Sequence, residues 1–276
     1  MMTMTTTALP PPATATPPGV RRRPRASRSR LTFLRRSVSP IVIILVWQLL
    51  SSTGILAETT LASPAQIATR TIELIQDGTL GVATLVSVRR VFLGFLIGAT
   101  VALTLAVLAG LSRLGEDAID PPMQMLRTLP HFGLIPLFII WMGIGEQPKV
   151  ALIALGVMFP LYLNTLAGIR GIDRRTLEAA RSMNLSRGQT IRHVIIPGSL
   201  PHALTGLRQS LGIAWLSLIV AETLPTDAGL GYMINSAKEF LQIDVVVVGL
   251  AVYSLLGLAT DSLVRLVERK ALAWRV

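Results

Sequence analysis

Few residues in this sequence have the type and spacing that catalysis or metal binding requires. Cysteine is absent, which excludes disulfides, thiolate chemistry and cysteine-ligated metals. The three histidines, His131, His193 and His202, have no spacing typical of a metal site. Neither G-x-x-x-x-G-K-S/T nor G-x-S-x-G occurs, so the sequence predicts no phosphate-binding loop and no serine hydrolase of that type. We therefore expect a chain that is not an enzyme and holds no cofactor or metal itself.

The most polar stretch, positions 170–201, carries the signals of two short helices. Asp173 is expected to cap the first helix. Its apolar residues recur at three-residue spacing and so share one face: Leu177, Ala180 and Met183. Each helix would have one apolar face and arginines elsewhere, which favours a docking element over a membrane span.

Nearby residues also indicate where the first helix ends and where the second helix begins and ends. Asn184 tolerates the left-handed conformation in which a helix stops and turns. Ser186 and Gln189, three residues apart, form a capping-box pattern that opens the second helix. That helix is expected to end at two prolines, Pro197 and Pro201.

Two other interpretations of this block are open. A basic helix-turn-helix could bind DNA, and the block is rich in arginine: Arg170, Arg174, Arg175, Arg181, Arg187 and Arg192. However, apolar segments begin within a few residues of each end, so the second helix could hardly reach a major groove. A loop that is merely solvated is favoured over DNA binding, and a docking loop is favoured over both.

The rest of the chain has the composition of an integral membrane protein. Of its 276 residues, 51% are hydrophobic and only 15% are charged, whereas about a quarter are charged in soluble proteins. Runs of about twenty apolar residues are the length that crosses a bilayer. The sequence predicts an all-α protein with six transmembrane helices at positions 39–56, 91–111, 123–143, 150–169, 204–224 and 245–260.

Small residues mark the second predicted span. They recur at strict four-residue spacing: Gly94, Gly98, Ala102, Ala106 and Gly110. Such a ridge lets a neighbouring helix approach closely. We therefore predict a helix-packing seam here and not a ligand site.

The third predicted span contains Pro130 and Pro136 on either side of His131, so its helix is expected to be broken or kinked. Irregular backbone at membrane depth is tolerated where it lines a cavity, which makes this span the leading candidate for a translocation path. A kink that only shapes packing is the alternative. Glu222 of the fifth span is assigned to the same path, since ionisable groups in spans are costly, and Trp215 of that span is assigned with it.

The distribution of basic residues predicts the orientation. The net charge is +11, and the 26 Lys and Arg residues are concentrated in positions 1–38, in and around the block 170–201, and after the sixth span. Because cytoplasmic segments carry the excess of Lys and Arg, both termini and the polar block are expected to be cytoplasmic. Positions 1–38 are predicted to be a disordered, Arg-rich tail, and 39–276 the transmembrane domain.

The polar block resembles the EAA loop of permease subunits in bacterial ATP-binding-cassette importers. That pattern is Glu-Ala-Ala, three residues, Gly, nine residues, Ile, any residue, Leu-Pro. The positions that correspond to it here are Glu178, Ala179, Ala180, Asn184, Val194, Ile196 and Pro197. Three of them depart from the pattern: Asn replaces Gly, Val replaces Ile, and Ile replaces Leu. Each departure keeps the apolar volume or the capacity for a left-handed turn.

The resemblance extends over most of positions 40–275, through runs such as SVRRVFLGFLIG. It is to the permease branch that handles aliphatic sulfonates, taurine, nitrate and related small organic anions or thiamine precursors. The runs FLQIDVVVVG and IPLFIIWMGIGE are most similar to aliphatic sulfonate permeases. The resemblance implies import of a small organic anion, with aliphatic sulfonates favoured and taurine, nitrate or thiamine precursors as the alternatives.

The resemblance implies a type I importer permease in the bacterial cytoplasmic membrane. Its partners would be a second copy of this chain, two ATP-binding-cassette ATPase subunits and an extracytoplasmic solute-binding protein, with no nucleic acid. ATP and Mg²⁺ would be bound by the ATPase. The coupling interface would be formed by Glu178, Ala179, Ala180, Arg181, Asn184 and Pro197. Bulk at either alanine is expected to disrupt docking. A secondary transporter that works without ATP is the alternative from a different class.

Overall fold

The regular elements of this chain are helices. The computed structural model describes residues 29–56 and 60–273, and no strand occurs in them, so the predicted all-α class is confirmed there. The α-helices are α1 (Ser29–Ser52), α2 (Pro64–Gln76), α3 (Thr79–Leu111), α4 (Arg113–Thr128), α5 (Ile135–Met142), α6 (Glu146–Arg170), α7 (Arg174–Ser182), α8 (Arg187–Thr190), α9 (Ile196–Ala221), α10 (Leu230–Glu239) and α11 (Ile243–Ala271). A 3₁₀ turn spans His131–Leu134, and a π-helical segment spans Ile191–Ile195.

The chain divides into two compact units at Val46. In the first, Met1–Val46, the described residues belong to α1. Of the predicted disordered tail, positions 1–28 lie outside the described residues, and 29–38 belong to α1. The second unit, Trp47–Val276, contains the elements from α2 to α11.

Four helices are long and apolar enough to cross a membrane: α3, α6, the continuous helix Arg187–Ala221, and α11. A fifth span forms if Arg113–Thr128 and His131–Met142, which meet at a bend of 89°, are counted together. The predicted break in the third span is thereby confirmed. The first predicted span corresponds to a shorter apolar helix, Val38–Ser52, so the total of six spans stays a prediction.

The prediction that Pro197 and Pro201 end a helix is wrong. Both lie inside one helix of 35 residues, Arg187–Ala221. A proline removes an N–H donor, and its ring clashes with the carbonyl four residues earlier. The π-helical segment just before Pro197, where the Ile196 N–H donates to the Ile191 carbonyl, widens the turn and accommodates the ring. The polar block is therefore joined to a membrane helix without interruption.

The predicted small-residue seam packs α3 against α6. A Cβ atom added to Gly98 would lie 2.3 Å from the Ala154 carbonyl oxygen, and one added to Gly94 would lie 2.6 Å from the Ile153 Cβ. Ala102 and Ala106 are completely buried. The backbones thus approach as closely as glycine allows, and the predicted seam is confirmed.

Gly98→Ala is expected to destabilise the chain by about 1–3 kcal/mol, because the added methyl group meets backbone that cannot rotate away. The matched control is Gly257→Ala in α11, where an added Cβ meets no atom within 4 Å. Alanine also favours a helix over glycine, so this control should be neutral or stabilising. Thermal unfolding of the two variants in detergent measures the difference, and equal midpoints would contradict the close approach.

Candidate functional site

The polar block forms α7 and α8 at one end of the bundle, here called the loop end. The predicted caps are present. The Asp173 carboxylate accepts a hydrogen bond from the Arg175 N–H at 3.0 Å. The Ser186 hydroxyl accepts from the Gln189 N–H at 3.3 Å, and the Gln189 side chain accepts from the Ser186 N–H at 2.8 Å. Each helix start is therefore stabilised by hydrogen bonds between residues two or three positions apart.

The turn between α7 and α8 depends on Asn184, which has a φ of 55°. The predicted left-handed turn is confirmed. The Asn184 N–H donates to the Arg181 carbonyl at 2.9 Å, and the Leu185 N–H donates to the Ala180 carbonyl at 3.1 Å. These are the two hydrogen bonds of a Schellman motif. Asparagine thus makes at this position the turn that glycine makes in the EAA pattern.

The loop presents a defined surface. Glu178, Ala179, Arg181 and Asn184 are exposed, whereas Pro197 is half-buried in α9. Ala180 is only 3% exposed, so it packs within this chain and leaves Ala179 as the small residue open to a partner.

Spacing in the sequence predicted that Met183 shares one apolar face with Leu177 and Ala180, and the three differ in exposure. Met183, the residue after the end of α7 at Ser182, is 73% exposed. The face of α7 toward the bundle keeps Ala180, with Leu177 half-buried. Met183 therefore extends the exposed surface of the loop, which the helical period alone could not show.

At the break between α4 and α5, His131 is half-buried, and Pro130 and Pro136 are exposed. The His131 Nε2 atom lies 3.5 Å from the hydroxyl of Ser217, a completely buried residue of α9. The break thus brings an imidazole against the α6–α9 packing. Ser217 has no local sequence signal that would have assigned it here.

The other two path candidates lie elsewhere. Trp215 is 8% exposed, and its indole N–H donates to the Thr260 hydroxyl at 3.0 Å, which joins α9 to α11. Glu222 follows α9 and is completely buried. The structure therefore does not group these two residues with His131. Their assignment to a path stays a prediction.

Glu222 is the centre of a buried network at the end of the bundle opposite the loop, here called the far end. One carboxylate oxygen accepts from the Ser87 hydroxyl and from Arg90 Nη1, each at 2.6 Å. The other accepts from the Gly231 N–H at 2.8 Å and from the Tyr253 hydroxyl. Helices α3, α10 and α11 are thereby bound to the end of α9.

Arg90, which is 2% exposed, uses its whole guanidinium group in this network. It forms a two-pronged pair with Glu146 at 2.6 and 2.7 Å. It also donates to the Ala228 carbonyl at 2.9 Å and to the Thr226 hydroxyl at 3.0 Å. Lys149 lies 3.7 Å from Glu146 and donates to the Pro225 carbonyl. We call Arg90, Glu146, Lys149 and Glu222 the far-end charge cluster; its two positive and two negative charges balance.

Three features characterise this arrangement. A neutral charge cluster, buried except for Glu146, fixes the far end, a packing seam fixes α3 on α6, and an exposed loop is joined to a membrane helix. No group of three or more His, Asp or Glu residues that could hold a metal ion occurs in residues 29–56 and 60–273.

Known proteins resemble this chain in sequence and in fold. One of them is SsuC of Bacillus subtilis (strain 168), which is named as an aliphatic sulfonates transport permease protein. It is 44% identical to this chain, over 93% of this chain and 92% of its own length. A protein of the same name from Escherichia coli (strain K12) is 47% identical over 85% and 89%. A crystal structure of an amino acid ABC transporter with histidines matches the fold with a TM-score of 0.57 at 21% identity, over 68% of this chain and 92% of that one.

Residues 94–272 match the family of binding-protein-dependent transport system inner membrane components. The match includes most of α3, the broken span, the loop with α7 and α8, and the membrane part of α11. With relatives above 40% identity over most of the chain, the assignment does not rest on one motif. This chain belongs to the family of binding-protein-dependent transport system inner membrane components, the permease components of such transporters.

Proposed function

We propose that this chain forms the membrane path of an ATP-driven importer of aliphatic sulfonates. The observation that carries the proposal is the exposed loop surface of Glu178, Ala179, Arg181, Met183 and Asn184, which the turn at Asn184 joins to the continuous helix Arg187–Ala221. A partner that moves this surface moves a membrane helix with it. The names of the two SsuC relatives support the substrate class.

The partner on the loop would be an ATPase subunit that binds ATP and Mg²⁺. An exposed apolar Met183 beside Arg181 and Glu178 suits a groove that offers both apolar and charged groups. Two copies of this chain would form the path and present one loop each to two ATPases. Rocking of the copies between two states would then expose the path to either side of the membrane.

The loop end would face the cytoplasm, together with both termini, because the basic residues are concentrated there. The completed fold would have six spans in the bacterial cytoplasmic membrane. The far-end charge cluster would lie on the outer side, where an extracytoplasmic solute-binding protein delivers substrate. Pro130, His131 and Pro136 at the break, with Trp215 and Glu222, remain the path residues proposed from the sequence.

The test is uptake of a radiolabelled alkanesulfonate by proteoliposomes that contain this chain, its ATPase and its binding protein. Uptake that requires all three proteins and ATP is the expected result, with taurine and nitrate as competitors that rank the substrate class. Uptake without ATP would indicate a secondary transporter instead. A chain that binds no ATPase would overturn the role given to the loop.

A further inference from the structure

The groove between α6 and α9 carries polar groups at two levels. The two helices run antiparallel: the Ser210 hydroxyl donates to the Val157 carbonyl at 2.8 Å, and a Cβ added to Gly206 would lie 2.8 Å from the Asn164 Cβ. A Cβ added to Gly156 would lie 2.6 Å from the Ser217 hydroxyl. Gly156 and Ser217 therefore share one level.

Asn164 and Gln209 form the second level, eight residues further along each helix. The Asn164 side-chain nitrogen donates to the Gln209 side-chain oxygen at 3.0 Å and to the Pro160 carbonyl at 2.8 Å. At 1.5 Å per residue the two levels are about 12 Å apart. The first level, at Ser217, is buried in the packing of α6 on α9, and the second level lies nearer the loop end.

The second level faces open space at membrane depth. Gln209 is exposed and Asn164 is half-buried. Gln209 lies thirteen residues before Glu222 along a continuous helix, about 20 Å from the far end. Within the described part of the chain, no hydrogen bond uses the Gln209 side-chain nitrogen. A primary amide turned toward lipid at this depth is costly, whereas one that lines a water-filled path is not.

The groove also has room beside the amides. Gly212, one turn from Gln209 on α9, is exposed, and a Cβ added there would meet no atom within 4 Å. Arg208, the neighbouring cation, is not turned to this groove, because it pairs with Asp261 of α11 at 2.7 Å. The second level therefore offers the side-chain N–H groups of Gln209, which are neutral donors, next to open space.

We propose that the Gln209 side-chain amide, held in place by the hydrogen bond that its oxygen accepts from Asn164, contacts the permeating anion. This inference rests on the proposed function. Amide N–H groups donate to the oxygens of a sulfonate, and because they carry no charge they hold the anion more weakly than a guanidinium would. A weak contact lets an anion enter and leave.

Gln209→Glu tests the proposal in the three-protein proteoliposomes. The glutamate keeps the size of the side chain and an oxygen that accepts from Asn164, so the α6–α9 contact is retained. Its negative charge should repel the substrate and raise the KM for alkanesulfonate uptake by at least about tenfold, since like charges cost several kcal/mol. Binding-protein-stimulated ATP hydrolysis should persist. Gln242→Glu, the same change at an exposed residue just before α11, is the control and should transport as the wild type does.

A second pair of variants tests the open space. Gly212→Leu should obstruct the groove and reduce the maximal uptake rate by at least about tenfold, the effect of about 1.4 kcal/mol. Gly257→Leu adds the same side chain to α11 where an added Cβ also meets no atom within 4 Å, and it should leave uptake unchanged.

The outcomes separate the two proposals. Absence of alkanesulfonate uptake by the wild type would overturn the proposed function itself. Normal wild-type uptake with an unchanged KM in Gln209→Glu would overturn the contact with the anion. Loss of uptake in Gln209→Glu together with loss of the assembled complex would assign the amides to packing, and that result also overturns it.

Discussion

Glu222→Ala is expected to destabilise the folded chain by about 3–5 kcal/mol, the usual cost of removing one partner of a buried ion pair. The variant would leave Arg90, at 2% exposure, with Glu146 as its carboxylate partner. It would also remove acceptors from the Ser87 and Tyr253 hydroxyls and from the Gly231 N–H. We expect a large fall in the amount of folded protein recovered from membranes and in its unfolding temperature.

Two further variants make this prediction specific. Glu222→Gln keeps the shape of the side chain and an oxygen acceptor but loses the charge. Its unfolding temperature should therefore lie between those of the wild type and Glu222→Ala. Glu239→Ala removes a carboxylate that is exposed at the end of α10, and it should change the unfolding temperature little. Equal unfolding temperatures for Glu222→Ala and Glu239→Ala would contradict the role of the far-end charge cluster.

Features that depend on nearby residues could be predicted from the sequence. The capping box of Ser186 and Gln189 spans three residues, and the left-handed turn at Asn184 depends on one side chain. The α3 seam follows from a fixed period, and the break near Pro130 follows from proline chemistry. Each of these features is set by residues close together in the sequence, and the packing of the helices did not change it.

Features that depend on how helices meet could not be predicted in this way. Arg90 and Glu222 are 132 positions apart, and only the packing of α3 beside the end of α9 makes them partners. The Asn164 and Gln209 contact likewise requires the register of α6 on α9. Pro201 shows the opposite case, in which the local rule predicted an end and the continuous helix Arg187–Ala221 prevailed.

Ala179→Trp is expected to uncouple transport while the chain itself stays folded. Ala179 is exposed on α7, so the indole meets no packed neighbour in this chain. In a complex it would stand between α7 and the ATPase groove. Loss of a central contact of this kind costs at least about 2 kcal/mol, which weakens binding about thirtyfold. Uptake should fall toward background in proteoliposomes, and the ATPase should no longer copurify with the chain.

Two further tryptophan substitutions separate docking from folding. Ala68→Trp adds the same bulk to an exposed alanine of α2, outside the loop, and should retain both uptake and the bound ATPase. Ala180→Trp places the indole where the side chain is only 3% exposed, so it should lower the unfolding temperature of the chain alone. Ala179→Trp should match the wild type in that measurement and differ only when the ATPase is present. If Ala179→Trp retained the ATPase and full uptake, the loop surface would not be the coupling interface, and the path would have to be driven from another part of the molecule.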